Sequence, residues 1–295
     1  MQIVRGETDT GAVLVGLAED GRWVGQFGGT LAELLRLTSV ELRAAVEDAH
    51  AREPSPGSTS PSIGRLLAPV DGQTEVWAAG VTYKRSEEAR MEESATPDIY
   101  SRVYRAERPE FFFKANPRRV AAPESPIVVR GDSTWDVPEP ELAIVVNAHA
   151  EIVGYTIGND VSSRSIEGDN PLYLPQAKVY EGSCALGPGI VPAWEIADPY
   201  ALAIRMRIQR NGALHWQGET SMREFARRLE DLVSYLFRED EFPEGVILST
   251  GTALVPDTPF TLEGGDTVEI EIDGLGMLRN PVVRGKSARL AALSG

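Results

Sequence analysis

Sulfur and imidazole are scarce in this sequence. Among 295 residues there is one cysteine, Cys184, so no intramolecular disulfide can form, and a reducing cytoplasm is the simple expectation. The three histidines, His50, His149 and His215, lie scattered in polar surroundings and suggest no shared site. No apolar run approaches the roughly 20 residues needed to span a bilayer. The opening "MQIVRGETDTG" lacks the charged-then-apolar pattern of a secretory signal. An excess of positive charge is missing too. The formal net charge is −15, which argues against nucleic acid and anionic membranes as partners. Internal repeats and low-complexity tracts are absent.

What is present is an ordinary globular composition, 42% apolar and 25% charged, long enough for one large domain or two unequal ones. "AVLVGLAEDGRWVGQFG" holds two strand-like runs around Asp20-Gly21, a hairpin signal. Residues 31–52 carry apolar side chains at helical spacing, with Ser39 placed as a start signal. "EPSPGSTSPSIG" at 53–64 has the composition of a linker. It divides a small N-terminal domain, 1–65, from a larger one, 66–295. The larger part is dominated by strands, including a hairpin on Asn211-Gly212. Two helices are expected there: a polar one over 86–106 and an amphipathic one over 222–237. The sum is a β-rich α+β fold rather than an alternating βαβ one.

Two E-x-E pairs fall on expected strands, and they differ. In "TVEIEIDG", Glu269, Glu271 and Asp273 share one face while Val268, Ile270 and Ile272 take the other, which is the pattern of a solvated acidic face. In "PEPELAIVV", Glu139 and Glu141 share parity with Ala143 and Val145, and beyond Glu141 both faces are apolar. Two carboxylates entering a buried face are costly to desolvate and repel each other, and a divalent cation would offset both costs. Spacing alone leaves two readings open, a metal site or a solvated strand end. The next strand ends at Asp160, and a hairpin turning near Asn147-Ala148 would return it to the level of Glu139. Three carboxylates without thiolate or imidazole suit Mg²⁺, Mn²⁺ or Ca²⁺ better than Zn²⁺.

From these residues outward the chain resembles the fumarylacetoacetate hydrolase superfamily. The resemblance runs through "GVTY" (80–83), "RPEFFFKANP" (108–117), "PEPELAIVV" (138–146) and "GYTIGNDVSSR" (154–164). It continues in "AKVYEGSCALGP" (177–188), "STGT" (249–252) and "GDTVEIEIDGLGMLRNPV" (265–282). It implies a mixed β-roll, here with a small N-terminal α/β domain, and a Mg²⁺-type site formed by Glu139, Glu141 and Asp160. "GVTYKRS", "ERPEFFFKANP" and "DNPLYLPQAKVYEG" are most similar to the sugar-acid dehydratases of that superfamily. Hydrolytic members carry a His and a Glu three and six residues after the tyrosine that is Tyr83; Ser86 and Ala89 stand there instead. Ser165 departs from the Asp usual after the arginine that is Arg164.

The resemblance therefore implies a metal-dependent hydro-lyase acting on a 2-keto-3-deoxy sugar acid of the arabinonate type and giving 2,5-dioxopentanoate through a metal-stabilised enolate. Lys178 in "QAKVY" is the implied base or enolate hydrogen-bond donor. Glu110, before three phenylalanines, is the candidate acid for the leaving hydroxyl. Thr252 and Gly251 are candidates for the substrate carboxylate, and Tyr83, Lys114 and Gln176 for the pocket wall. A homodimer or homotetramer is implied as well. Two alternatives remain: a hydrolase or decarboxylase of a 2,4-diketo acid, with Glu87, Glu88 or Glu92 activating water, and a non-catalytic metal-dependent binding domain. The basic segment holding Arg105, Arg108, Lys114, Arg118 and Arg119 is either a solvated surface or an offset to the negative field. Residues 84–107 are placed to act as a lid.

Overall fold

The computed structural model describes residues 1–52, 61–85 and 97–294. Among them an eleven-stranded mixed sheet runs in the order Arg22–Gln26, Val13–Glu19, Gln2–Thr8, Cys184–Pro192, Ile152–Asp160, Pro140–Val146, Val246–Ser249, Glu75–Gly80 and Glu110–Ala115, with two short strands alongside. A five-stranded sheet, Ala213–Ser221, Ala203–Arg210, Thr267–Ile272, Gly276–Arg284 and Ile127–Val129, packs against it. The result is the β-rich α+β roll expected from the sequence.

Alternation dictates how the layers meet. On the Pro140–Val146 strand, Leu142, Ile144 and Val146 join Ile204, Met206, Ile208 and Ile270 of the smaller sheet in one core. Ala143 and Val145 face the other way and pack with Ile247, Leu186 and the N-terminal helices through Leu35, Leu42 and Val46. Every residue of that strand is buried because each face has its own cover. The two hairpin turns form where the sequence signals them, with Asp20-Gly21 and Asn211-Gly212 all at positive φ.

Three elements differ from expectation. The helix read over 31–52 is two helices, Leu31–Leu34 and Ser39–Ala51. The second is capped by Thr38, not Ser39: the Thr38 hydroxyl accepts from Glu41 N while the Glu41 carboxylate accepts from Thr38 N, a capping box. The helix expected over 222–237 is confined to Leu229–Leu236, since Phe225 instead forms a β-bridge with Tyr83. The polar helix is described over Pro97–Arg105, and the rest of the expected lid, 86–96, lies outside the described residues.

Among the described residues, those on the two sides of the linker-like stretch 53–64 pack together. Gln2–Thr8 pairs antiparallel with both Cys184–Pro192 and Ile63–Leu67, so the described strands on either side of that stretch extend the main sheet. Their apolar side chains share one core with Val145 and Ile247. No helix among the described residues is long and apolar enough to cross a membrane.

Candidate active site

The two E-x-E pairs part company in three dimensions. Glu271 and Asp273 are exposed and Glu269 is half-buried beside Arg279, a solvated face on which Arg205 and Arg279 pair with the carboxylates. Glu139 and Glu141 are buried, at 3% and 1% exposure. The hairpin register sets Glu141 opposite Gly158 and Pro140 opposite Asn159, and Asp160 N donates to Glu139 O at 2.9 Å. The third carboxylate thus returns to the level of the first. Oxygens of Glu139, Glu141 and Asp160 all lie within 4.8 Å of one another.

Cations pack into the same cluster. Lys178 ends the short helix Leu174–Lys178 and donates through Nζ to Glu139 Oε2 (2.9 Å), Asp160 Oδ2 (2.9 Å) and Ser162 Oγ (2.5 Å). Arg164 Nη2 donates to Glu139 Oε1 at 3.0 Å. Lys114 is fully buried behind the cluster, in contact with Asp160 Oδ1 and donating to the backbone oxygens of Val161 (3.1 Å) and Lys178 (2.6 Å). Glu141 is approached differently, by the backbone N–H of Gly251 at 2.7 Å. Burial, and then the neighbouring Asp160 and Glu139 carboxylates, push its carboxyl well above the usual range.

The loop that carries Gly251 explains why a glycine is there. Its φ is +93°, and a Cβ would run into the Thr82 side chain, whose hydroxyl donates to Thr250 O at 2.6 Å. A side chain at 251 would therefore pull the N–H away from Glu141.

One cavity opens onto the cluster. Glu139, Glu141, Asp160, Lys178, Gly251 and Thr252 line it. Glu110, Phe112, Glu167, Tyr100, Pro171 and Leu174 line it as well. Glu110 starts the Glu110–Ala115 strand directly opposite Gly80, and its carboxyl occupies the space a side chain at 80 would take. Gly80→Ala is therefore expected to displace the Glu110 carboxyl while leaving the backbone in place. If Glu110 handles a proton, turnover falls about tenfold or more with little change in thermal stability. Steady-state kinetics beside a melting curve checks this, and unchanged turnover would remove Glu110 from the chemistry.

The structure sets Tyr83, Gln176 and Lys114 apart from the cavity lining. Tyr83 is buried in the core, edge-on to Phe225, with its hydroxyl donating to Met222 Sδ at 2.8 Å. Gln176 is exposed, and it is its backbone oxygen that meets Arg130, at 3.1 Å. Lys114 buttresses Asp160 and does not line the cavity. Thr252 lines it, but its hydroxyl is engaged with Leu254 N at 3.1 Å and Leu254 O at 3.3 Å. Ser165 Oγ lies 2.9 Å from Ser133 Oγ and accepts from Thr134 N at 3.3 Å, holding the chain just before Trp135. The basic segment is dispersed: Arg118 pairs with Glu181 at 2.9 Å and Arg108 stacks on Tyr235. The positions of Ser86, Ala89, Glu87, Glu88 and Glu92 lie outside the described residues.

Glu167 was not picked out from the sequence. It sits three residues after Arg164 on the helix Arg164–Asp169, buried at 4% exposure. The i, i+3 spacing with an arginine that reaches Glu139 was the available signal, and it is shared by many surface pairs.

Residues 75–283 match the model of the fumarylacetoacetate hydrolase C-terminal family. A probable 2-keto-3-deoxyxylonate dehydratase of Haloferax volcanii is 55% identical over 214 residues, 72% of this chain and 73% of that protein. The 2-dehydro-3-deoxy-D-arabinonate dehydratase of Saccharolobus solfataricus is 45% identical over 222 residues, 74% of each. A solved structure of 2-keto-3-deoxy-D-arabinonate dehydratase with magnesium and 2,5-dioxopentanoate superposes with a TM-score of 0.83 at 36% identity, covering 96% of this chain and 99% of that one.

Proposed function

The chain belongs to the fumarylacetoacetate hydrolase family, and from that premise we propose that it is a Mg²⁺-dependent dehydratase converting a 2-keto-3-deoxypentonate into 2,5-dioxopentanoate. The observation that carries the reading is the buried cluster of three carboxylates, Glu139, Glu141 and Asp160, opening into a cavity that also holds Lys178 and Glu110. Two relatives, 55% and 45% identical over about three quarters of the chain, carry dehydratase names, and the superposable structure was solved with magnesium and 2,5-dioxopentanoate.

The residues suit a hard divalent cation. All three donors are carboxylate oxygens, and ionising Glu141 in this setting is costly unless positive charge joins the cluster. Glu139, Glu141 and Asp160 would hold Mg²⁺, with Mn²⁺ or Ca²⁺ as possible substitutes. A bound cation supplies Lewis-acid polarisation of a 2-keto acid, acidifying the protons on C3.

The chain's own groups do the rest. Lys178 Nζ lies among the carboxylates on the cavity wall; with a bound cation supplying their positive charge, the lysine would act as the neutral amine and take the C3 proton. The electron pair of that C–H bond forms a C3–C4 double bond as the C4–O bond breaks. Glu110 protonates the departing hydroxyl, so that one water leaves; transfer of a proton from C5 to C3 turns the resulting enone into the C4–C5 enol, and movement of the C5 hydroxyl proton to C4 gives the aldehyde. Gly251 N–H keeps Glu141 oriented, and Lys114 fixes both Asp160 and the carbonyl of Lys178. The reading includes a homodimer or homotetramer, and a cytoplasmic location suggested by the single cysteine.

The test is incubation of 2-keto-3-deoxypentonate with the protein and Mg²⁺, followed by NMR. Appearance of 2,5-dioxopentanoate, abolished by EDTA and restored by Mg²⁺, is the expected result. Release of pyruvate would mean carbon–carbon cleavage and overturn the reading, as would activity indifferent to EDTA.

A further inference from the structure

We propose that Glu167 is a specificity-determining residue that accepts a hydrogen bond from the terminal, C5 hydroxyl of the substrate and so selects hydroxylated keto acids over deoxygenated ones. The proposal rests on the dehydratase reading and deepens it.

Glu167 lines the same cavity as the carboxylate cluster, yet it is no member of that cluster. Phe112, Pro171 and Leu174 line the cavity as well and offer a substrate hydroxyl no polar side chain. Glu110, which lines the same cavity, is the group assigned to the C4 hydroxyl. A second carboxylate in that lining, outside the acidic cluster, matches a substrate with one more hydroxyl to place. Arg164 Nε stands 3.8 Å from Glu167 Oε2, while Arg164 Nη2 makes a shorter contact, 3.0 Å, with Glu139. A carboxylate has about four lone-pair positions, so it can accept a hydroxyl alongside partners it already has. A 2-keto acid lacking the C5 hydroxyl would leave that acceptor facing an apolar group, the mismatch by which enzymes reject such analogues most strongly.

The same geometry allows a merely supporting role, in which Glu167 steers Arg164 and, through it, Glu139. The two roles separate on substrate choice. Wild-type protein, Glu167→Ala and Glu167→Gln would be assayed with Mg²⁺ on 2-keto-3-deoxypentonate and on 4-hydroxy-2-oxopentanoate, which lacks only the C5 hydroxyl. The expected result is that Glu167→Ala reduces kcat/KM for the pentonate about tenfold or more beyond its effect on the truncated acid. Glu167→Gln, which retains an acceptor oxygen, should lose less. Equal losses on both substrates, or a wild-type protein that does not distinguish them, would overturn the proposal. Absence of dehydration of either substrate by the wild type would instead bring down the dehydratase reading, and this proposal with it. If Glu167→Ala fails to fold, the selectivity ratio of the near-isosteric Glu167→Gln decides alone, with an unchanged ratio counting against the proposal.

Discussion

Glu141→Gln is expected to raise the Mg²⁺ concentration for half-maximal turnover by roughly 100-fold or more, because a charged oxygen ligand is exchanged for a weak neutral one. The substitution is nearly isosteric, and the amide oxygen can still accept from Gly251 N–H, so the loss is one of charge rather than shape. Stability should move the opposite way. Burial and the adjacent Asp160 and Glu139 carboxylates hold the Glu141 carboxyl well above its usual range. A carboxyl raised in the folded state favours folding while protonated, and that advantage is lost as pH rises through its folded value. Without added Mg²⁺, the variant should therefore melt higher than the wild type at neutral pH and show a flatter pH dependence. With saturating Mg²⁺ the wild type should gain stability and the variant little. Calorimetric titration and melting curves with and without the metal check both halves. Wild-type Mg²⁺ affinity in the variant would remove Glu141 from the ligand set.

Lys178→Met should reduce kcat by about 10²- to 10⁴-fold, the range typical for loss of a positioned proton-transfer group. The substitution preserves length and apolar bulk beside Phe112, over whose ring Nζ sits at 5.5 Å. It also removes a positive charge from between Glu139 and Asp160, so Mg²⁺ binding should be retained or strengthened while turnover collapses. That split, measured by kinetics and by metal titration on one preparation, distinguishes a proton-handling lysine from a structural one. A variant with kcat within a few-fold of wild type would exclude Lys178 as the base.

The contrast between the two E-x-E pairs was legible without coordinates. Period-2 alternation continues through Glu269, Glu271 and Asp273 but gives way to apolar residues on both faces after Glu141. The structure matches that difference in burial. Hairpin pairing also placed Asp160 near Glu139, since a short turn leaves little freedom of register. Other features were hidden for identifiable reasons. Lys114 reads as a pocket lysine beside phenylalanines, and only the packing of its strand against the helix ending at Lys178 turns it inward to Asp160. Tyr83 was drawn into the core by a bridge to Phe225, a contact 142 residues away in sequence that no local pattern encodes. The Pro- and Ser-rich stretch near residue 60 suggested a domain boundary, but composition does not reveal that Gln2–Thr8 hydrogen-bonds to Cys184–Pro192.

Local chemistry in the sequence thus determined the strand pattern, the oxygen-only character of the acidic cluster and the turns that bring its three members level, because these depend on side-chain alternation and short-range connectivity. Tertiary structure decided which charged groups face the cavity and which support it from behind: Glu110 settled opposite the bare Gly80, Glu167 turned toward the same space, and Lys114 was buried beneath Asp160. Those assignments depend on which strand edges and helix ends meet across the roll, and that is set by packing the two faces of the central sheet rather than by any segment alone.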